Sequence, residues 1–361
     1  MKIKNKMFGV IIAGGRGTRF WPISRKKRPK QLLNIIGDKS MLQMTVDRLR
    51  KIRFIEDIYI ATGKDLAKTI AKEIEGVPKK NIIVEPSGKN TAPSIGLVAG
   101  HLLKRDADAV MGVFPADHLI VGHRPFYLSL STAFNLVSKK EILITFGIVP
   151  SSPHIGYGYI QYNKKKILED EIAFGVKTFA EKPTLSAAKR FIKSGDFLWN
   201  SGIFVWKASV YMKAMEDYLP IQYDIIKNIV SKVGTNEYKS ILESEWDRIS
   251  QESVDYGILE KAQNIGVIKS DFVWSDLGSW DAYYNLMTKK KDGNVIKGDG
   301  LVIDGTNNLI HSSDKFTSVL GISNIAVINT NDSTLIVPRE RVEEIKKILA
   351  VLEKNDRNEL L

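Results

Sequence analysis

Between Gly14 and Lys30 the chain reads GGRGTRFWPISRKKRPK, directly after the compact apolar run Val10-Ile11-Ile12-Ala13. That run has the length and texture of a short buried strand. Gly14, Gly15 and Gly17 allow a sharp turn and bring backbone N–H groups up to a ligand with no side chain in the way. A nest of such groups suits an anion, above all a polyphosphate. Arg16, Arg19 and Lys30 add fixed positive charge around the loop, arginine as a planar fork and lysine as a point charge. Pro22 and Pro29 stiffen the segment that carries these charges. Neither of the better-known phosphate loops fits. A dinucleotide fingerprint needs a small residue where Phe20 stands, and a Walker loop needs Gly-Lys-Ser/Thr after four spacers.

Carboxylates recur at the ends of apolar runs. Asp117 closes Pro115-Ala116-Asp117-His118, where an aspartate is either a turn cap or a ligand; its oxygens suit Mg²⁺, which takes few protein ligands beside water and phosphate. Asp276 lies in Trp274-Ser275-Asp276-Leu277-Gly278, and spacing alone does not bring the two together. Glu85 opens Glu85-Pro86-Ser87-Gly88-Lys89-Asn90-Thr91, as a strand-end acid or as an acceptor-only group able to take two donors from one base edge. Glu181-Lys182-Pro183 reads as a helix-start acid and a solvated lysine, or as a binding pair. Asn200 fits a turn asparagine or a ligand partner, and Gly156 a packed strand glycine or a close backbone approach. The histidines, including His101, His123, His154 and His311, show no metal-ligand spacing.

The elements that must hold these residues alternate. Helical spacing at 39–52, 64–75, 91–104 and 125–138 is interleaved with strand-like runs at 57–62, 81–84, 109–114 and 141–149. The alternation predicts an α/β, Rossmann-like, mostly parallel mixed sheet with helices on both faces, ligands sitting beyond the carboxyl ends of its strands. Further strands are expected at 156–162, 173–180 and 203–206, and helices at 184–193, 209–217 and over much of 222–261. After about Thr288 short β-rich segments separated by Gly, Asn and Asp lead to an amphipathic helix over 340–353. This predicts a catalytic domain over 1–288 and a small β-rich module with a final helix over 289–361. No strict internal repeat marks the module, and the tail 354–361 is expected to fray.

Composition narrows the functional classes. The 361 residues are 43% hydrophobic and 26% charged, an ordinary globular balance, and no apolar run approaches the length of a membrane span. The basic-then-apolar start MKIKNKMFGVIIAGG runs into the phosphate loop, so it reads as a core strand and not as a signal peptide; a cytoplasmic location follows as the expectation. With no cysteine there is no disulfide framework and no thiol chemistry. The net charge of +12 raises nucleic-acid binding as an alternative. The lysines are spread over many short clusters with no nucleic-acid module, which favours a surface that attracts phosphorylated small molecules.

The pattern G-G-x-G-x-R-x-W-P continuing to Pro29-Lys30-Gln31 resembles the signature of the sugar-nucleotide pyrophosphorylases. Its Phe20-Trp21-Pro22 form looks most like the mannose-1-phosphate guanylyltransferases. The resemblance runs from Gly14 to the C-terminal helix. It implies a GT-A-like nucleotidyltransferase domain, a left-handed β-helix-like module and a homodimer. The implied reaction joins GTP and α-D-mannose 1-phosphate into GDP-mannose with release of pyrophosphate. It assigns Arg16, Arg19, Lys30 and Lys182 to catalysis, and Gly14, Gly15, Gly17, Thr18, Glu85, Asn90 and Thr91 to the nucleotide. Gly156, Glu181, Lys182 and Asn200 go to the sugar phosphate, and Asp117 with Asp276 to Mg²⁺. Relatives using uridine or thymidine triphosphates carry glutamine at the position of Glu85, so the acid implies guanine. Bifunctional relatives continue into an isomerase domain, so no isomerase activity is expected of this sequence. The basic Lys26-Lys27-Arg28 departs from the small or mixed residues usual there. Two alternatives share the motifs: another sugar 1-phosphate, or a non-catalytic relative that binds sugar nucleotides.

Overall fold

A computed structural model describes residues 6–15, 17–169 and 172–361. The chain forms two compact units. One comprises the residues up to Gly14 with Leu42–Ala116 and Ile120–Trp274; the other comprises Gly15–Met41, Asp117–Leu119 and Ser275–Leu361.

The first unit is built on β1 (Met7–Ile12), β2 (Ile55–Gly63), β3 (Ile82–Glu85), β4 (Val110–Pro115), β6 (Leu143–Ile148), β7 (Tyr159–Glu169), β8 (Ala173–Ala180), β9 (Phe197–Lys207) and β10 (Ile265–Ser270); the short strands β5 (Leu119–Val121) and β11 (Val273–Ser275) lie outside this sheet. The sheet order is β3-β2-β1-β4-β9-β6-β10-β8-β7. Strands β3, β2, β1 and β4 run parallel, β9 is antiparallel to both its neighbours β4 and β6, and β10 runs parallel to β6. Strand β1 is apolar throughout and β6 is so apart from Thr145, because helices cover both faces, as the continuous hydrophobic runs require. The helices are α1 (Met41–Arg50), α2 (Lys64–Glu73), α3 (Thr91–Arg105), α4 (His123–Lys139), α5 (Leu185–Ser194), α6 (Ala208–Tyr218), α7 (Pro220–Ser231) and α8 (Tyr238–Trp246).

Three differences from the sequence reading have physical causes. Strand β10, IGVIKS, has no counterpart among the expected elements; six residues without clear alternation give no period to read. Strand β9 begins at Phe197, so Asn200 lies within a strand, beside a register shift between Thr145 and Gly147, and not in a turn. The helical content expected over much of 222–261 is divided among α7, α8 and a single π-helical turn, Asp255–Leu259.

The second unit carries α9 (Trp280–Leu286), a four-stranded sheet and α10 (Ile345–Lys354), which continues a 3₁₀ segment, Arg339–Glu344. Strands β12 (Val295–Ile303), β13 (Leu309–Leu320) and β14 (Ile325–Asn329) are parallel, and β15 (Thr334–Pro338) is antiparallel to β14. Parallel strands joined by such short turns are rungs of a coil, since a flat parallel sheet needs a longer crossover. Val295 pairs with Leu309 and Leu309 with Ala326, so successive rungs are 14 and 17 residues apart; this inequality hides the repeat from the sequence. Buried asparagines tie the rungs. Asn294 Oδ1 accepts from Asn308 N at 2.8 Å, and Asn308 Oδ1 from Ile325 N at 3.1 Å. The tail is tied at its end, where Leu360 O accepts the indole N–H of Trp21 at 2.8 Å.

Within the first unit the loop after β3 is tied down by residues 246–252. Trp246, fully buried, donates to Ser87 O at 2.7 Å, and Glu252 N donates to Lys89 O at 3.1 Å. Trp246→Phe removes a hydrogen bond from a buried indole to the carbonyl of the exposed Ser87, and a typical hydrogen bond contributes about 1 kcal/mol. Urea unfolding should show a lower midpoint with unchanged slope; an unchanged midpoint means Ser87 O finds water instead.

Candidate active site

In the second unit the glycine-rich loop is shaped around one lysine. Gly17 takes φ 58 and ψ 33 and caps a short 3₁₀ turn, Thr18–Phe20. A Cβ there would lie 2.2 Å from Cβ of Lys30, so both the left-handed backbone and the close approach demand glycine. Gly14 and Gly15 are exposed, and a Cβ on either would meet nothing within 4 Å. Arg16 lies outside the described residues. Arg19 Nε sits 3.0 Å from a carboxylate oxygen of Glu343.

Lys30 is 4% exposed. Its ammonium donates to Asp117 Oδ2 at 2.8 Å and to the carbonyl oxygen of Asp276, and lies 5.7 Å from the centre of the Phe20 ring. Burial works to raise the Asp117 carboxyl, but Lys30 and His118 outweigh it and hold the group below the usual carboxylate range. Asp276 Oδ1 accepts from Gly278 N at 3.0 Å, and between them Leu277 takes φ 46. Arg19, Lys30, Asp117, Asp276 and Lys346 line one cavity of about 320 Å³. Two carboxylates facing a cavity fit a hard divalent cation that completes its shell with water and phosphate oxygens. Among the described residues no cluster of three or more metal-ligating side chains forms a closed cage.

The remaining candidates lie in the first unit. Glu85, at the end of β3 and 6% exposed, accepts a hydrogen bond from Ser94 Oγ. Burial pushes its carboxyl up to about 7 against that bond. Asn90 caps α3 through Thr91 N, and Thr91 Oγ1 accepts from Val254 N at 2.9 Å, so both side chains already hold backbone.

Val254 leads into the second cluster. Asn200 Oδ1 accepts from Thr145 Oγ1 and from Gly202 N, each at 3.1 Å, while its Nδ2 donates to Asp255 Oδ1 at 2.9 Å. The amide is therefore fixed in one orientation. Burial and the nearby Glu181 raise the Asp255 carboxyl to about 7, the Asn200 bond opposing. Lys182 Nζ lies 3.1 Å from Glu181 Oε1; burial alone would lower the ammonium, and Glu181 raises it. Lys182 itself takes φ 47.

Three residues escape the sequence reading. A Cβ on Gly158 would lie 2.2 Å from Glu181 Oε2, and Gly158 O accepts from Asn200 N at 2.8 Å. Gly158 is therefore the glycine set between these residues, whereas Gly156 meets only His154. Asp255 sits in a π-turn whose irregularity leaves no period, and Lys346 is one polar position of an amphipathic helix. Gly158 alone has a signal, in the run Gly156-Tyr157-Gly158-Tyr159.

Residues 8–293 match the family described as nucleotidyl transferase, and residues 298–352 the MannoseP isomerase/GMP-like beta-helix domain. A mannose-1-phosphate guanylyltransferase of Klebsiella pneumoniae is 35% identical over 97% of this chain and 74% of its own length. The alginate biosynthesis protein AlgA of Pseudomonas aeruginosa is 33% identical over 98% of this chain and 73% of its own. Among solved structures, the mannose-1-phosphate geranyltransferase of Thermus thermophilus superposes with a TM-score of 0.87 at 26% identity, covering 96% of this chain and 99% of that one.

Lys30 and Asp117 should be energetically coupled. Lys30→Ala leaves a carboxylate without its buried partner and should cost about 1–3 kcal/mol. The double variant with Asp117→Asn should recover part of that loss in a double-mutant cycle. Strict additivity of the two losses in urea unfolding would show that the pair does not interact.

Proposed function

The chain belongs to the nucleotidyl transferase family, and we propose that within it this protein transfers GMP from GTP to α-D-mannose 1-phosphate. The sugar phosphate oxygen attacks the α-phosphorus in line, the α–β phosphoanhydride bond breaks, and pyrophosphate leaves with its electron pair. The nucleophile is already an anion, so the protein's task is positioning and charge neutralisation. The observation that carries this reading is the buried Lys30 ammonium on the wall of a cavity that Asp117 and Asp276 also line.

Lys30 is assigned to the α-phosphate, Arg16, Arg19 and the loop N–H groups to the departing phosphates, and Lys182 to the sugar phosphate. Glu181 and the fixed Asn200 amide hold sugar hydroxyls. Mg²⁺ on Asp117 and Asp276, when bound, neutralises phosphate oxygens. The catalytic domain is taken as residues 1–288, with 289–361 as a module for self-association. Ile303 stands opposite Leu320 in register, and both are exposed apolar groups of the kind a homodimer covers. No described helix is long and apolar enough to cross a membrane. The proposal includes a cytoplasmic location, small phosphorylated substrates and no nucleic-acid partner. The direct assay is pyrophosphate release from GTP across a panel of sugar 1-phosphates. Release with mannose 1-phosphate is expected, and no release with any sugar would discard the reading.

Base choice should carry a pH signature. Guanine's N1–H and N2–H₂ donors need Glu85 ionised, and the buried carboxyl titrates near 7 in the free protein. Below that pH binding must expel a proton, so KM for GTP should rise about fivefold as pH falls from 7 to 6 and approach tenfold per unit below that. Glu85→Gln should remove this component and weaken the preference for GTP over UTP by about tenfold or more. An identical pH profile in both proteins would assign the effect to the substrate phosphates.

A further inference from the structure

The phosphate cavity has one wall that does not come from the signature loop or from the aspartates. Lys346, in the first turn of α10, lines it together with Arg19, Lys30, Asp117 and Asp276. The placement is not accidental to one side chain. Leu349, Ala350 and Glu353 line the adjoining cavity with Trp21 and Arg25, and 346, 349, 350 and 353 form one helical stripe at i, i+3, i+4 and i+7. That stripe is the face which α10 turns toward residues 18–26.

The cations of this cavity are not equally available. Lys30 is committed to Asp117 and to the Asp276 carbonyl, and Arg19 is paired with Glu343. The next lysine along the helix, Lys347, pairs with Glu344 at 2.6 Å. Among the described residues Lys346 has no carboxylate within ion-pair distance, although Glu343 stands one turn before it. An ammonium with no partner, at the rim of a cavity that already holds two carboxylates, contributes little to the fold. It is placed to meet an incoming anion, and its long stem lets it follow that anion.

We propose that Lys346 binds the two terminal phosphates of the nucleotide, those that depart as pyrophosphate, so that the terminal helix completes the phosphate site. The proposal rests on the nucleotidyl-transfer reading for the identity of the anion. Lys346 then acts on nucleotide and pyrophosphate, not on the sugar phosphate.

The test uses the full chain and inorganic pyrophosphate with magnesium chloride, by calorimetry, followed by KM for pyrophosphate in the reverse reaction with GDP-mannose. Lys346→Ala should weaken pyrophosphate about tenfold in both, with the melting temperature and KM for mannose 1-phosphate unchanged. Lys346→Arg should recover most of the loss. Lys347→Ala, which removes the neighbouring charge, should match the wild type. Unaltered pyrophosphate affinity in Lys346→Ala, an equal loss in Lys347→Ala, or no pyrophosphate binding by the wild type would each overturn the proposal. A wild type that binds pyrophosphate in a Lys346-dependent way yet makes no GDP-mannose would instead refute the guanylyltransferase reading and leave this site standing.

Discussion

A single buried ammonium organises the glycine-rich loop of this protein. Burying Lys30 to 4% exposure is tolerable only because Asp117 and the Asp276 carbonyl meet it. Each neighbouring oddity follows from that. Gly17 must lack a side chain because the Lys30 stem runs beneath it. Leu277 must turn left-handed so that the Asp276 carbonyl faces the lysine while its carboxylate folds onto Gly278 N. Phe20 lies beside the ammonium and packs at 4.9 Å on Trp280, whose indole N–H donates to Trp21 O at 3.0 Å. The charge is held by packing as much as by its counter-ions.

Backbone strain is concentrated where chemistry is assigned. Among the described residues, Lys182 and Leu277 are the positive-φ positions occupied by neither glycine, asparagine nor aspartate. The others of this kind are Asn or Asp, which adopt the conformation readily. Lys182 follows Glu181 and Leu277 follows Asp276, so in both places a strained residue aims the acid before it. Such conformations cost on the order of 1–3 kcal/mol and persist only where the surroundings over-determine them. Buried Leu277 meets that condition through packing; the exposed Lys182 ion pair with Glu181 is too weak to hold it alone.

Legibility follows periodicity. Helix α3 and strand β8 are readable to within a residue, because apolar runs bounded by turn residues specify them. The phosphate loop is readable because its glycines and prolines have few other uses. What escapes is set by long-range pairing. Strand β10 takes its place from β6 and β8, and Asn200 becomes a strand residue because β9 pairs as far back as Trp199 with Ile148. The coil of β12 to β14 escapes for a different reason. Its asparagine ties recur at 294 and 308, but the next rung is three residues longer and is tied from Asn308 again.

Contacts within its own unit explain why the signature loop belongs to the second unit and not with the strand that precedes it in sequence. Three separate contacts fasten residues 21–26 to the C-terminal module, and a fourth ties them to α9. Trp21 donates to Leu360 O, Trp280 donates to Trp21 O, Arg25 reaches Asp332 at 2.8 Å, and Lys26 reaches Glu353 at 3.3 Å. The exposed Lys26 pair contributes little on its own, since such pairs are screened and entropically costly. The two indole bonds are different, being shielded donors that would otherwise go unmet. The basic run Lys26-Lys27-Arg28, which departs from the family pattern, thus has one of its charges spent on docking the loop. A loop so anchored is pre-organised, so less conformational entropy is lost when a ligand is held there. The module therefore shapes the glycine-rich loop, and the terminal helix lies against that loop along the stripe of Lys346, Leu349, Ala350 and Glu353.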